Sequence, residues 1–387
     1  MNTFNELLLG IVVMLLTILL LGLIIKRLNQ PYFVAYIIAG VILGPYGIAL
    51  YREPETISKI GELGLLLQMF FLGTKREIQT VLLNIKKPFA AAMAQLFFSF
   101  LFIWLLGFVN SWNYKQIIVF TLIISLSSSA IILEYLDEKK ELSNPLGQLT
   151  SGILVIQDFM LVPMLIIINL LCNHSISTSK IIALIIAAVL ITLFFKKNYL
   201  KKEIRIPFLD NLSNDHEGQV FMGLLLCFGF GWITQQLNLS AAIGALIAGI
   251  LISESHSMEW LERNLIPFRV FFISLFFLSV GLQLNLDFIR QHIWFILLIV
   301  GFVIVINSVI NAFVLKLMKF SWRDSIYAGA LLSQIGEFSI VLCMVASSEQ
   351  LVDGFWYQLT LATITGTMII TAMWTNIIRS FIYRTII

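Results

Sequence analysis

The sequence predicts an all-α polytopic membrane protein of about thirteen transmembrane helices arranged as inverted-topology repeats. The composition is too apolar for water, apolar runs of spanning length follow one another, and basic residues gather on alternate connections. Of the 387 residues, 59% are hydrophobic and only 12% charged, and the mean hydropathy is +0.94. Soluble domains carry about 25% charged residues, so a water-soluble globular protein is excluded.

Thirteen apolar runs satisfy a window of about 20 residues. The first, near 7–25, closes on Lys26 and Arg27; the second, near 33–48, carries the small pair Gly40 and Gly44, a helix-packing spacing. The third, near 58–73, closes on Lys75 and Arg76, and the fourth, near 88–109, follows Lys86 and Lys87. The fifth, near 116–135, precedes Lys139 and Lys140; the sixth is near 149–171; the seventh, near 180–195, runs into Lys196, Lys197, Lys201 and Lys202. The eighth and ninth, near 218–236 and 239–253, are joined by a short connection. The tenth is near 267–283, the eleventh near 293–315, the twelfth near 325–346, and the thirteenth, near 355–378, precedes Arg379 and Arg384.

Connections after odd-numbered runs, with the C-terminal tail, hold 20 of the 25 basic residues. Lys and Arg accumulate on the cytoplasmic side, so the N-terminus is expected outside and the C-terminus in the cytoplasm. The net charge of +3 therefore reports topology. No basic patch with interleaved aromatics appears, and no nucleic-acid partner is expected. The start MNTFNELLLG has no basic residue ahead of its apolar run and reads as the first membrane helix, not a cleaved leader. Cys172, Cys227 and Cys343 lie in or at the end of apolar runs without metal-ligand spacing, as small hydrophobes.

AYIIAGVILGP at 35–45 resembles GALIAGILIS at 244–253, and QMFFLG at 68–73 resembles SLFFLS at 274–279. At the same offset of about 206 residues, SLSSSAIIL at 125–133 falls on LLSQIGEFS at 331–339. Each partner is seven helices away, an odd number, so paired helices cross in opposite directions. Such repeats place a site where small or polar residues interrupt corresponding helices. Ser127, Ser128 and Ser129 in the fifth helix and Gln334, Gly336 and Glu337 in the twelfth meet that description.

Two ionisable residues stand clearly within the predicted helix cores: Asp158 in the sixth and Glu337 in the twelfth. A charge at the bilayer centre costs about 2.5–3.5 kcal/mol on insertion scales, which makes a functional role the default. Asp158 reads as a carrier carboxylate, with no Lys or Arg in any predicted core to pair with it. Gln157 adds an amide whose carbonyl could ligate a cation or accept a hydrogen bond, and Glu337 could instead complement a half-helix N-terminus. No paired carboxylates, His cluster or nucleophile constellation reaches the core, so an enzyme is not expected.

These segments resemble the monovalent cation:proton antiporter-2 family, most closely the membrane part of Kef-type potassium efflux antiporters. The resemblance rests on PYFVAYIIAGVILGPYGI at 31–48, ELGLLLQMFFLG at 62–73, SLSSSAI at 125–131 and GILVIQDFMLVP at 152–163. It continues through LNLSAAIGALIAGILISES at 237–255, LFFLSVGLQLNL at 275–286 and LLSQIGEFSIVL at 331–342. It implies a sodium/proton antiporter-like fold with two crossed discontinuous helices, the fifth and twelfth. It also implies a dimer-forming scaffold near 7–73 and 218–283, a linker helix near 180–195, and an ion-transporting core near 88–171 and 293–378. The Gln157–Asp158 pair looks like the Kef version of the family's acidic motif. Three features depart from relatives. Asn307 stands where many carry a lysine. The counterpart of an acidic gating loop, at 257–269, keeps Glu259 and Glu262 but carries Arg263, Asn264 and Ile266. No nucleotide-binding regulatory domain is expected within 1–387.

The function expected is monovalent cation/proton antiport, potassium favoured over sodium, with Asp158 shared between proton and cation and Gln157, Ser127, Ser128 and Ser129 as neutral ligands. Gln334, Gly336, Glu337 and Asn307 are expected to form the core break. A sodium/proton antiporter of the same fold and a gated cation channel are the alternatives, the latter without a filter-like run. No cofactor is expected beyond the transported K+ or Na+ and H+. Expected partners are membrane lipid, a second copy of the chain and a separate regulatory subunit.

Overall fold

The structure, a computed structural model, describes residues 3–27, 30, 32–51, 54–74, 86–171, 215–236, 241–253 and 258–383. Every regular element among them is a helix: α1 (Thr3–Arg27), α2 (Tyr32–Leu43), α3 (Pro54–Thr74), α4 (Lys86–Val109), α5 (Tyr114–Ile124), α6 (Ser129–Glu138), α7 (Pro145–Leu171), α8 (His216–Gln236), α9 (Ala241–Ser253), α10 (Met258–Gln283), α11 (Leu286–Leu317), α12 (Trp322–Leu331), α13 (Phe338–Ser348) and α14 (Gly354–Tyr383). Twelve of the thirteen predicted helices are here, and the seventh, near 180–195, lies outside the described residues, as does Cys172. The fifth and twelfth are each split into halves, α5 with α6 and α12 with α13.

Seven of these helices are long and apolar enough to cross a membrane. The apolar and polar groups are distributed for lipid. Phe108, Trp294 and Phe381 are 76%, 82% and 82% exposed, whereas Ser127, Gln157, Asp158, Asn307 and Gln334 are buried. With no water in the hydrocarbon to satisfy them, polar groups turn inward.

The largest departure from the predicted bounds is at the start of α10. α10 starts at Met258, so the segment read as a gating-loop counterpart is its opening turns, and the helix continues through Pro267. The Asn264 amide there donates to the Gln219 side-chain oxygen Oε1 on α8 at 2.5 Å, which ties those turns down. α11 is kinked at His292, whose φ of −115° and ψ of 16° are not helical: a short segment opens at Leu286, where the Asn285 side chain accepts from the Phe288 N–H at 3.0 Å, and the long segment follows from 293, as the sequence predicts.

The chain divides into two compact units, one of residues 1–52, 78–171 and 281–387, the other of 53–77 and 172–280. In the second, α9 packs against α3 and α8. A Cβ at Gly249 would collide with the Phe70 carbonyl oxygen, so only glycine permits the α9–α3 approach. In the first, α11 packs on α12 and α14, and α4 on α5 and α7. One apolar cluster joins Ile132, Leu136, Ile153, Leu154, Leu315 and Tyr327. α7 touches all four half-helices, which makes it the element around which both interrupted helices are assembled.

Candidate functional site

The chain breaks where serine and glycine interrupt the apolar pattern. α5 ends as the Ser125 hydroxyl turns back onto the Leu122 carbonyl at 2.9 Å, the competition with the ladder that serine offers. Ser128 then caps α6, its hydroxyl accepting from the Ile131 N–H at 3.5 Å. In the second interrupted helix the Ser333 hydroxyl folds onto the Ala330 carbonyl at 2.7 Å, and α13 begins after Glu337. Glu337 holds the N-cap position without a side-chain capping bond, at the end of α13 where the helix dipole favours a carboxylate.

The two breaks meet. The Gly336 N–H donates to the Leu126 carbonyl at 2.7 Å, and the Ser127 hydroxyl donates to the Leu332 carbonyl at 3.1 Å. The Gln334 amide reaches the Ser128 carbonyl at 3.5 Å, and the Ser339 hydroxyl donates to the Ile123 carbonyl at 2.7 Å. A Cβ on Gly336 would stand 2.7 Å from the Ser127 carbonyl carbon and 2.8 Å from Ser128 N, so the crossing requires glycine.

Half-helices leave orphan carbonyls at their C-terminal ends, where partial negative charge collects. The Asn307 amide on α11 donates to the Ile124 and Ser333 carbonyls, 3.2 Å each, bridging the ends of α5 and α12. One turn on, the Asn311 amide donates to the Asn307 and Leu332 carbonyls at 2.9 and 3.1 Å. This stretch of α11 supplies uncharged donors.

Gln157 is engaged on both sides of its amide. Its oxygen accepts from the Ser127 N–H at 3.1 Å, and its NH2 donates to the Gln95 oxygen at 2.6 Å. The Gln95 NH2 in turn donates to the Ser125 carbonyl at 3.2 Å. Asp158, the next residue of α7, is 2% exposed. Ser129 is buried as the first residue of α6. On α14, the Thr367 hydroxyl accepts from the Ile335 N–H at 3.2 Å.

One network therefore unites Ser127, Ser128, Gln157, Asn307, Gln334 and Gly336, with Asp158 beside Gln157 on α7 and Glu337 opening α13. Gln95, Asn311, Ser339 and Thr367 were not singled out from the sequence; the signal for Gln95 was a lone amide inside AAAMAQLFFSF. Carboxylate, amide, hydroxyl and backbone oxygens suit a hard cation, and a carboxylate takes a proton in its place.

At the other end of α12 lies a second polar cluster. The Arg379 guanidinium contacts Glu141 Oε1 at 2.9 Å, and the Tyr327 hydroxyl donates to Oε2 at 2.7 Å. This carboxylate, in the connection after α6, thereby joins α12 and α14.

The model of a family described as sodium/hydrogen exchanger, transmembrane, matches residues 12–379. The iron transporter MagA of Paramagnetospirillum magneticum is 28% identical over 359 residues, 93% of this chain and 82% of that protein. K(+) efflux antiporter 5 of Arabidopsis thaliana is 29% identical over 372 residues, covering 93% of this chain and 64% of its own length. Among solved structures, the sodium proton antiporter MjNhaP1 from Methanocaldococcus jannaschii superposes with a TM-score of 0.64 at 13% identity, over 97% of this chain and 98% of that one. That likeness shows the fold.

Proposed function

This chain belongs to the sodium/hydrogen exchanger family, and from that premise we propose that it exchanges a monovalent cation for protons, using Asp158 as the group both ligands share. The observation that carries the reading is the meeting of two interrupted helices around α7, where Asp158 follows the Gln157 amide that holds the Ser127 N–H. Burial disfavours an empty, charged carboxylate, and either ligand neutralises it. An unliganded site would cross with a penalty of about 2.5–3.5 kcal/mol, roughly a hundredfold in rate, so movement is coupled to occupancy. With Asn307 in place of a lysine, both loaded forms carry the same charge, which supports electroneutral one-for-one exchange.

Gln157, Ser127, Ser128 and Ser129 serve as neutral ligands in this reading, and Glu337 steadies the start of α13. Potassium is the favoured cargo, on the Gln–Asp pair and the similarity to a K(+) efflux antiporter; sodium is the alternative. Iron, named for one relative, needs a different donor set: among the described residues no group of three or more His, Cys, Asp or Glu is placed to hold a metal ion. The cargo ions are the only ligands required. Helices near 88–171 and 293–378 act as the moving core against a scaffold of 7–73 and 218–283, in a homodimer that a separate subunit regulates. In this reading the membrane is a bacterial inner membrane, and the basic residues favour the N-terminus outside it.

The test is dissipation of a pH gradient in proteoliposomes on adding K+ or Na+, with voltage clamped by a separate ionophore. Dissipation independent of voltage and lost in Asp158→Asn is expected. Current without pH coupling would make the protein a channel, and full activity in Asp158→Asn would remove Asp158 from the carrier role.

A further inference from the structure

Three hydrogen bonds run in one sense through two side-chain amides. The Ser127 N–H donates to Gln157 Oε1, Gln157 Nε2 donates to Gln95 Oε1, and Gln95 Nε2 donates to the Ser125 carbonyl. The chain leaves the break of the first interrupted helix and returns to it two residues earlier. It satisfies one buried donor and one buried acceptor that the missing turn of helix would have paired. Both amides are 2% exposed.

The sense of the chain has a chemical result. An amide presents an oxygen on one side and two N–H donors on the other, and only the oxygen attracts a cation. Flipping Gln157 would set its NH2 against the Ser127 N–H and its oxygen against Gln95 Oε1, two repulsive contacts. The first is resisted by the break itself, the second by Gln95 alone. Gln95 is held in turn by the Ser125 carbonyl, which accepts and cannot donate, so its own NH2 must face that way.

We infer that Gln95 is a positioning residue for cation recognition: it locks the Gln157 amide with its oxygen turned to the break, so that the second lone pair of that oxygen faces the transported cation. Gln95 touches neither cation nor proton in this account. It acts on the cation branch of the exchange, because the proton binds a carboxylate and needs no amide oxygen. The inference rests on the Asp158 exchange reading above.

The experiment compares the native protein with Gln95→Met and Gln95→Glu in the proteoliposome assay, measuring KM and kcat for K+ and for Na+, and the pH profile at saturating cation. Met matches the length and removes both hydrogen bonds. Glu in its protonated form keeps an oxygen for Gln157 Nε2 and an O–H for the Ser125 carbonyl, so it is compared at the acid end of the pH range. In Gln95→Met the KM for the transported cation is expected to rise about fivefold to tenfold, the effect of about one hydrogen bond, with the pH profile unmoved. In protonated Gln95→Glu the KM is expected to return to within about twofold of native, because the acceptor that orients Gln157 and the donor to Ser125 are both restored, and to depart from it as the pH rises and the added carboxyl ionises. A Gln95→Met protein that folds and keeps the native KM overturns the inference, as does an equal rise in both variants, which would assign Gln95 to packing. Circular dichroism and size-exclusion elution report folding independently of transport. No exchange by the native protein would instead overturn the antiport reading, and that outcome is seen before any Gln95 variant is compared.

Discussion

Gly336 N–H and the Leu126 carbonyl are joined at 2.7 Å across 210 residues of sequence, backbone to backbone, at the point where both interrupted helices lose their ladders. Each break thus supplies the partner that the other lacks. In hydrocarbon an unmatched N–H or carbonyl costs several kcal/mol, so neither break is stable alone and the pair forms together. This contact also sets how close the helices come, since the donor belongs to a residue without a side chain.

Gly336→Ala would drive a methyl group into the Ser127 and Ser128 backbone, at 2.7–2.8 Å. Backbone cannot rotate away as a side-chain tip does, so the expected loss is about 1–3 kcal/mol of stability, together with slower exchange. Gly301→Ala on α11, where nothing lies within 4 Å, is the matched control and is expected to be neutral or stabilising. Thermal melting of the purified protein in detergent checks both. Equal melting points for the two variants would remove the close approach as a constraint.

Asn307 holds two half-helix ends with one amide. Asn307→Ala leaves two buried carbonyls without that donor and is expected to cost about 2–4 kcal/mol. Asn307→Lys restores a donor and adds a charge, which under the proposed exchange acts on the Asp158 carboxylate. The ammonium then competes as a tethered cation, and the KM for K+ or Na+ is expected to rise about tenfold or more while the folded yield recovers relative to alanine. Transport kinetics beside melting curves separate the two effects; an unchanged KM in the lysine variant would place Asp158 outside the reach of α11.

Much of this was legible because hydrocarbon permits few exceptions. Ser127 and Gly336 stood out as backbone-competing or flexible residues inside apolar runs, and both breaks lie there. Asp158 stood out by charge alone. Gln95 did not, because one amide in an apolar run is also what ordinary helix–helix hydrogen bonding looks like, and only its bond to Gln157 gives it direction. The long segment of α11 begins at the predicted position, just after the non-helical His292; the short segment before it was missed because Asp287, Arg290, Gln291 and His292 lower the hydropathy of turns that Asn285 nonetheless caps. Likewise Met258–Ile266 is too polar for a membrane window yet is helical, with Asn264 bonded to Gln219.

Glu141 offers a comparison in which the neutral partner outweighs the charged one. Arg379 meets Oε1 at 2.9 Å, but its side chain is 38% exposed, and pairs open to solvent contribute about 0–1 kcal/mol. Tyr327 meets Oε2 at 2.7 Å and is 1% exposed, so its hydroxyl has no water to turn to. A hydrogen bond to a charged group in such a position contributes about 1.5–3 kcal/mol. Tyr327→Phe is therefore expected to destabilise more than Arg379→Gln, an order opposite to that suggested by formal charge. Because both donors converge on one carboxylate, the double variant should fall short of the summed single effects or exceed them by about 0.5 kcal/mol or more. Chemical or thermal unfolding of the four proteins in one detergent gives the cycle. A larger loss for Arg379→Gln, or strict additivity, would mean that Glu141 does not tie α12 to α14 as a unit.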